Sequence, residues 1–246
     1  MKEELLNKVY QGDCLELMKD IPDKSVDMIL CDLPYGTTAC KWDTIIPFEP
    51  LWVQYKRIIK DNGAIVLTAS QPFTSALVMS NVKMFKYEWI YNKTKGVGYL
   101  NAKKMPITNH ESILVFAEGK TIYNPQFSEG KPYKKIHRNE KESSSYGKST
   151  RKNGDVFVND GIRYPTTSIL PMTNPSGRGQ FHPTQKPVAL FEYLIKTYTN
   201  EGDTVLDNCA GSGTTGVACK NLNRNFILIE KEPEYCEIIK QRLSQS

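Results

Sequence analysis

The sequence predicts an α/β fold built on a mostly parallel sheet. Two observations carry this. On both flanks of the chain, short apolar runs closed by turn residues alternate with segments of helical spacing. Near the C-terminus, a glycine-rich loop joins one such run to a helix, as parallel α/β units require.

The elements follow in order. Lys8–Gln11 reads as a short strand and Cys14–Lys19 as a short helix. Val26–Cys31 is an apolar run ending at Asp32, which suits a buried parallel strand. Pro50–Lys60 sets Leu51, Tyr55, Ile58 and Ile59 on one helical side. Asp61-Asn62-Gly63 reads as a turn, and Ala64–Thr68 as the next strand. Pro72–Ser80 is helical, Tyr87–Tyr91 extended, and Ser112–Ala117 a strand closed by Gly119. Beyond a segment without such periodicity, Pro187–Thr199 is a helix through Leu190, Tyr193, Leu194 and Ile195. Thr204–Leu206 is a strand, Thr214–Leu222 a helix, Phe226–Ile229 a strand and Pro233–Leu243 the last helix.

The 246 residues suffice for one mid-sized domain, or one core with a large insertion. Apolar runs such as Ile113–Ala117 are too short to span a bilayer. The N-terminal MKEELLNKVYQGD lacks the apolar stretch of a secretory signal. Six cysteines without a CxxC pair argue against a zinc ribbon and a disulfide framework, and point to a reduced cytoplasm. No His pair has metal-ligand spacing, so no metal site is expected.

The formal charge is +5. Residues 120–178 hold eleven Lys and Arg against five acids, a local +6, which leaves −1 for the rest. Aromatics such as Tyr133, Tyr146, Phe157 and Tyr164 are interleaved. A solvated insertion explains this composition, and so does a nucleic-acid contact surface with cations for phosphates and aromatics for stacking.

Two turns carry chemistry. Gly211, Gly213 and Gly216 spell GxGxxG between a strand ending at Asp207 and a helix. Glu230 ends the following strand, where an acid can accept hydrogen bonds from both ribose hydroxyls of a nucleoside. A glycine turn that merely packs a helix on a strand is the plain alternative. A dinucleotide fits poorly, because Asp207 beside the loop would repel a pyrophosphate. S-adenosylmethionine has no phosphate and carries a sulfonium and an ammonium, so an acid there helps. Asp32-Leu33-Pro34-Tyr35-Gly36 follows the buried strand, where it would face the ligand crevice. Alone it could be an ordinary strand-ending turn.

Together, DLPY and VLDNCAGSGTTG resemble the two signature motifs of S-adenosylmethionine-dependent amino-group DNA methyltransferases. The order of catalytic turn, basic segment and cofactor loop is similar to the β group, which holds N6-adenine and N4-cytosine enzymes. The resemblance implies a Rossmann-like class I methyltransferase with a mostly parallel seven-stranded sheet and circularly permuted motifs. It implies three parts: residues 1–119 as the catalytic half, 120–180 as a basic target-recognition insertion, and 181–246 as the cofactor half. The Asp32 and Asp207 strands would be neighbours at the switch point.

His182-Pro183-Thr184-Gln185-Lys186-Pro187 resembles that group's additional cofactor motif. Asp13 and Cys14 match the strand end beside the cofactor's adenine, and Arg224–Glu230 the ribose-binding strand. The resemblance thus assigns cofactor binding to Asp13, Cys14, Asp32, His182, Thr184, Gln185, Lys186, Asp207, Ala210, Gly211, Ser212, Gly213, Thr214, Thr215 and Glu230. It assigns catalysis to Asp32, Leu33, Pro34 and Tyr35. The Asp32 carboxylate would accept one N–H of the target amine and the Leu33 carbonyl the other, with Tyr35 stacked on the base. Leu33 replaces the usual Pro, but either residue supplies a carbonyl.

Methyl transfer would be direct and in line. A base in a duplex cannot reach such a pocket, so base flipping is implied. Cys209 stands where the group often has a Phe that covers the cofactor, so weaker affinity, or cover from Phe181, would follow. Cys14, Cys31 and Cys40 suit buried packing. Residues 36–43 would border the pocket, with Trp42 touching DNA or capping the fold.

The resemblance implies duplex DNA as partner and no membrane, and it is compatible with a homodimer and with either a cognate restriction nuclease or a solitary enzyme. Asp in the first motif favours adenine N6 over cytosine N4, since cytosine enzymes of this group more often have Ser. Four rivals stand beside this reading: a cytosine-N4 enzyme, a non-catalytic DNA-binding module, a methyltransferase of RNA or protein glutamine, and an NAD-linked oxidoreductase.

Overall fold

The computed structural model describes residues 3–38, 40, 43–137, 154–169, 171–172 and 185–245. Its elements are β1 (Lys8–Gln11), α1 (Cys14–Leu17), β2 (Val26–Cys31), α2 (Phe48–Ile58), β3 (Ile59–Ala69), α3 (Phe73–Ser80), β4 (Phe85–Val97) and β5 (Thr108–Phe116). Five short strands follow: β6 (Ser128–Glu129), β7 (Tyr133–Ile136), β8 (Val156–Asn159), β9 (Ile162–Arg163) and β10 (Ser168–Ile169). The chain closes with α4 (Val188–Tyr198), β11 (Thr204–Asp207), α5 (Thr214–Asn221), β12 (Asn225–Glu230) and α6 (Pro233–Gln245).

The larger of two compact units, Met1–Asn124 with Thr167–Ser246, holds one sheet in the order β1-β12-β11-β2-β3-β5-β4-β10. These are the seven expected strands plus the two-residue β10, which pairs with β4. Only β5 runs antiparallel to its neighbours, β3 and β4.

Period-two alternation sorts the side chains into two cores. Ile29, Cys31, Leu206, Ile227 and Ile229 face α1, α2 and α3. Met28, Leu30, Val205 and Leu228 face α4, α5 and α6. The sheet is therefore sandwiched between helical layers, and β2 and β11 are buried on both faces.

Strand β11 leads through α5 to β12 on one side, and β2 leads through α2 to β3 on the other. The chain thus reverses its winding between β11 and β2, which pair in parallel through Val205↔Met28 and Leu206↔Ile29. Ligands bind at such a reversal, beyond the carboxyl ends of the strands. Asp32 and Asp207 stand at those ends.

Two local expectations needed revision. Helix α2 begins at Phe48, before Pro50, because a proline in the first turn lacks only an N–H that has no intrahelical partner. Asp61-Asn62-Gly63 does not interrupt the strand. β3 runs from Ile59, and the register steps from Val26↔Ile59 to Met28↔Ala64, so the three residues form a bulge.

The second unit, Pro125–Thr166, contains two small antiparallel ladders, β6 with β9 and β7 with β8. Nearly all its strand residues are exposed, so no alternating apolar pattern marked them in the sequence. Arg163 lies over the Tyr133 ring at 4.9 Å, and Phe127 meets Tyr164 edge-on at 4.9 Å.

Candidate active site

A cavity of about 850 Å³ opens at the reversal point of the larger unit. Asp32, Leu33, Pro34 and Tyr35 line it. So do Asp13, Cys14, Gln185, Lys186, Asp207, Ala210, Gly211, Ser212, Thr214 and Glu230. His182 and Thr184 lie outside the described residues, as do Phe181 and Trp42. Gly213 and Thr215 do not line the cavity. Gly213 caps α5 at a left-handed φ of +78° and Thr215 donates to Asp207, so both shape the loop from behind.

At the turn that follows β2, Asp32 is 24% exposed and collects three donors. Tyr35 Oη donates to Oδ1 at 2.7 Å, and Thr68 Oγ1 donates to the same oxygen. Lys186 Nζ donates to Oδ2 at 2.7 Å. Burial pushes the Asp32 carboxyl up, but the Lys186 charge and these hydrogen bonds outweigh it and hold it below the usual range. Tyr35 is itself fixed, its ring stacked on Phe73 with centroids 5.3 Å apart.

Lys186 leads to a second acid. Its Nζ lies 3.4 Å from Glu111 Oε2, and Lys93 pairs with Glu111 Oε1. Lys186 and Glu111 are each only 9% exposed, so the charges Asp32–Lys186–Glu111–Lys93 form a largely desolvated chain. The sequence reading placed Lys186 with the cofactor and gave Glu111 and Thr68 no role. Thr68 was detectable in principle, because it lies near the end of the strand next to that of Asp32.

Asp207 presents the opposite electrostatics. It is 3% exposed and accepts from Cys209 N at 3.1 Å and Thr215 Oγ1 at 2.5 Å. Burial nevertheless raises its pKa to about 7, since those hydrogen bonds offset only part of the desolvation and Asp32 adds repulsion. Burial also raises Glu230, which accepts from Gly211 N at 2.7 Å and Glu232 N at 2.9 Å. Asp13 accepts from Leu15 N at 2.9 Å and caps α1.

Gly211 takes a left-handed φ of +51°, and a Cβ there would meet no atom within 4 Å. Gly216 instead packs closely on Leu228. Ser212 is held from outside, its Oγ 3.0 Å from Arg242. Tyr55 Oη donates to the buried Asn208 Oδ1 at 2.6 Å and ties α2 to the loop. Cys14 and Cys31 are buried beside Cys209, and burial pushes the Cys31 thiol up to about 12, as suits packing residues. Cys40 is exposed, against the expectation that it packs inside.

Beyond Tyr35, the backbone N–H groups of Gly36, Thr37 and Thr38 converge on the Asp43 carboxylate at 2.7–2.9 Å. This clasp on the buried Asp43 fixes the loop at the cavity rim, and composition alone gave it no signal.

Seven carboxylates line the cavity against three lysines, and four of those acids, Asp13, Asp32, Asp207 and Glu230, share it with the bare Gly211 backbone. That donor set fits a nucleoside with a cationic tail and opposes a pyrophosphate. S-adenosylmethionine fits it and a dinucleotide does not. Among the described residues no cluster could hold a metal, and no helix is long and apolar enough to cross a membrane.

Residues 26–241 match a DNA methylase family model covering N6 and N4 enzymes. Type II methyltransferase M.HpaI of Haemophilus parainfluenzae is 28% identical, across 94% of this chain and 72% of that protein. Type II methyltransferase M1.MboII of Moraxella bovis is 28% identical, across 94% of each. The crystal structure of an M1.HpyAVI–SAM complex superposes with a TM-score of 0.66 at 27% identity, covering 96% of this chain and 99% of that one. The cytosine-N4-specific PvuII DNA methyltransferase shares the fold, with a TM-score of 0.65 at 17% identity over 96% of this chain and 85% of that one.

Proposed function

The chain belongs to the N6/N4 DNA methylase family, and we propose that it methylates adenine N6 at a specific sequence in duplex DNA, with S-adenosylmethionine as donor. The observation that carries this reading is the placement of Asp32 and Asp207 in one cavity, at the ends of adjacent parallel strands. One carboxylate is held charged and the other is poised near neutrality.

Glu230 would hold the ribose, Asp13 and Cys14 would border the adenine, and Asp207 with the Gly211 backbone would face the cationic tail. When bound, S-adenosylmethionine supplies an electrophilic methyl group. The rest belongs to the protein. An ionised carboxylate offers about four lone-pair positions. Three at Asp32 are taken, two on Oδ1 and one on Oδ2. The remaining position on Oδ2 accepts the target N–H, and the Leu33 carbonyl accepts the other. Two acceptors localise the amine's lone pair and aim it at the methyl group.

The low pKa of Asp32 keeps it an acceptor throughout, so it orients the amine. As the C–N bond forms and the C–S bond breaks, leaving a neutral thioether, the methylated amine sheds its proton to solvent. Tyr35, backed by Phe73, stacks on the extruded base. Residues 120–180 read the sequence, with their cations on phosphates. Residues 1–119 and 181–246 supply the catalytic and cofactor halves. Six unpaired cysteines suit the cytoplasm, and the Type II names of the relatives suggest a nuclease partner with the same recognition site.

Modification-sensitive sequencing of DNA from cells expressing the chain tests this. The expected result is N6-methyladenine at one short motif, absent with Asp32→Ala. N4-methylcytosine alone overturns the adenine assignment.

A further inference from the structure

A second positive surface lies outside the inserted segment. No acid occurs between Glu88 and Glu111, while Lys93, Lys95, Lys103 and Lys104 do. This stretch is the end of β4, the start of β5 and the loop between them. Its base belongs to the active site, because Lys93, Val97, Thr108 and His110 line the cavity. Its tip does not fold back on the protein. Leu100 is fully exposed, Tyr99 is 65% exposed and Met105 58%. Lys95, Lys103 and Lys104 are exposed beside them.

The tip is nonetheless built. Gly98 takes a left-handed φ of +94° to start a 3-10 turn over Tyr99–Asn101. Lys104 N and Met105 N then donate to Asn101 O at 2.8 and 3.0 Å. An ordered turn that holds large apolar side chains in water, ringed by cations, needs a partner that is both apolar and anionic.

We propose that this loop is a wedge for duplex DNA: Leu100 and Tyr99 enter the base stack where the target base leaves it, and Lys95, Lys103 and Lys104 hold the flanking phosphates. The inference rests on the base-flipping reading above. Extruding a base opens a gap walled by apolar base faces and bordered by phosphates, which matches the tip in both respects. Position agrees, since the loop rises from the rim of the cavity that receives the base. The concentration of lysines disfavours a second copy of this chain as the occupant, because like charges would face each other.

The test compares wild type, Tyr99→Ala/Leu100→Ala and Lys103→Ala/Lys104→Ala on two duplexes carrying the motif found by sequencing. In one the target base is paired, and in the other it faces an abasic gap. The apolar double variant should lose about 10- to 100-fold in kcat/KM on the paired duplex, because unstacking costs a few kcal/mol, and should recover on the gapped one. Its 2-aminopurine signal at the target position should fall, with S-adenosylmethionine binding unchanged. The lysine double variant should weaken binding to both duplexes and flatten the log–log salt slope by up to about 2.

Undiminished activity on the paired duplex overturns the wedge, as does an equal loss on both substrates. So does a wild-type dimer that Leu100→Ala dissociates. A wild type that methylates neither duplex overturns the proposed function itself, and the wedge with it.

Discussion

Asp32 and Asp207 are the same residue type, at the ends of two paired parallel strands, in one cavity. Their surroundings drive them apart. Asp32 gains a cation and two hydroxyl donors, and its pKa is held below the usual carboxylate range. Asp207 gains one backbone N–H, one hydroxyl and the Cys31 thiol but, among the described residues, no cation, and titrates near neutrality. Backbone position gives both acids to the site, and their second neighbours divide the work. On the proposed reading the first acid is the acceptor for the target amine. The second changes charge near neutral pH, so its ionisation is coupled to the arrival of a cation.

Removing the first acid should have the largest effect. Asp32→Ala should lower kcat about 10²- to 10³-fold, the scale of one preorganised group at a reacting atom, with cofactor binding intact by calorimetry. An equal loss of cofactor affinity would merge the two roles. Glu230→Gln should do the reverse. It exchanges a charged acceptor for a neutral one and should raise the cofactor Kd about 10- to 100-fold with a smaller change in kcat.

Lys186→Met tests what separates the two acids. Without its cation Asp32 should titrate higher, so the acid limb of the kcat/KM profile moves toward neutral pH, and Lys186→Arg should restore it in part. A uniform loss at all pH values would make Lys186 a packing residue only.

Asp207 should make cofactor affinity rise with pH, by up to about tenfold from pH 6 to 8, with proton release on binding, and Asp207→Asn should flatten this dependence. The same shift has a stability sign. The folded protein binds this proton more tightly than the unfolded chain, so the contribution is full below the ordinary Asp range and is lost as pH rises through about 7. Asp207→Asn should therefore raise the Tm at pH 8 relative to wild type more than it does at pH 5. The smallest effect belongs to Leu33→Pro, which keeps the carbonyl and should leave kcat nearly unchanged.

Much of this was legible in the sequence. β2, β11 and β12 are apolar because both faces are covered, and that leaves a run ending in a functional acid. The glycine loop announced itself for a steric reason, since Gly211 and Gly213 adopt left-handed backbone. The links between distant segments were hidden. Nothing in the spacing of Lys186, Glu111 and Asp32 shows that they touch, because they lie 75 or more residues apart along the chain and meet only through sheet order. Local turn chemistry misled at Asp61-Asn62-Gly63, where strand pairing absorbs the turn as a bulge. Charge arithmetic misled too. A remainder of −1 looked neutral and masked four lysines without an acid between Glu88 and Glu111.

The central claim is that this cavity carries out methyl transfer to adenine N6. The most direct measurement incubates the protein with duplex DNA and isotopically labelled S-adenosylmethionine, digests the DNA and identifies the labelled nucleoside by mass spectrometry. The account predicts label in N6-methyladenine with wild type and at least a hundredfold less with Asp32→Ala. Label only in N4-methylcytosine, or equal label with Asp32→Ala, would contradict it.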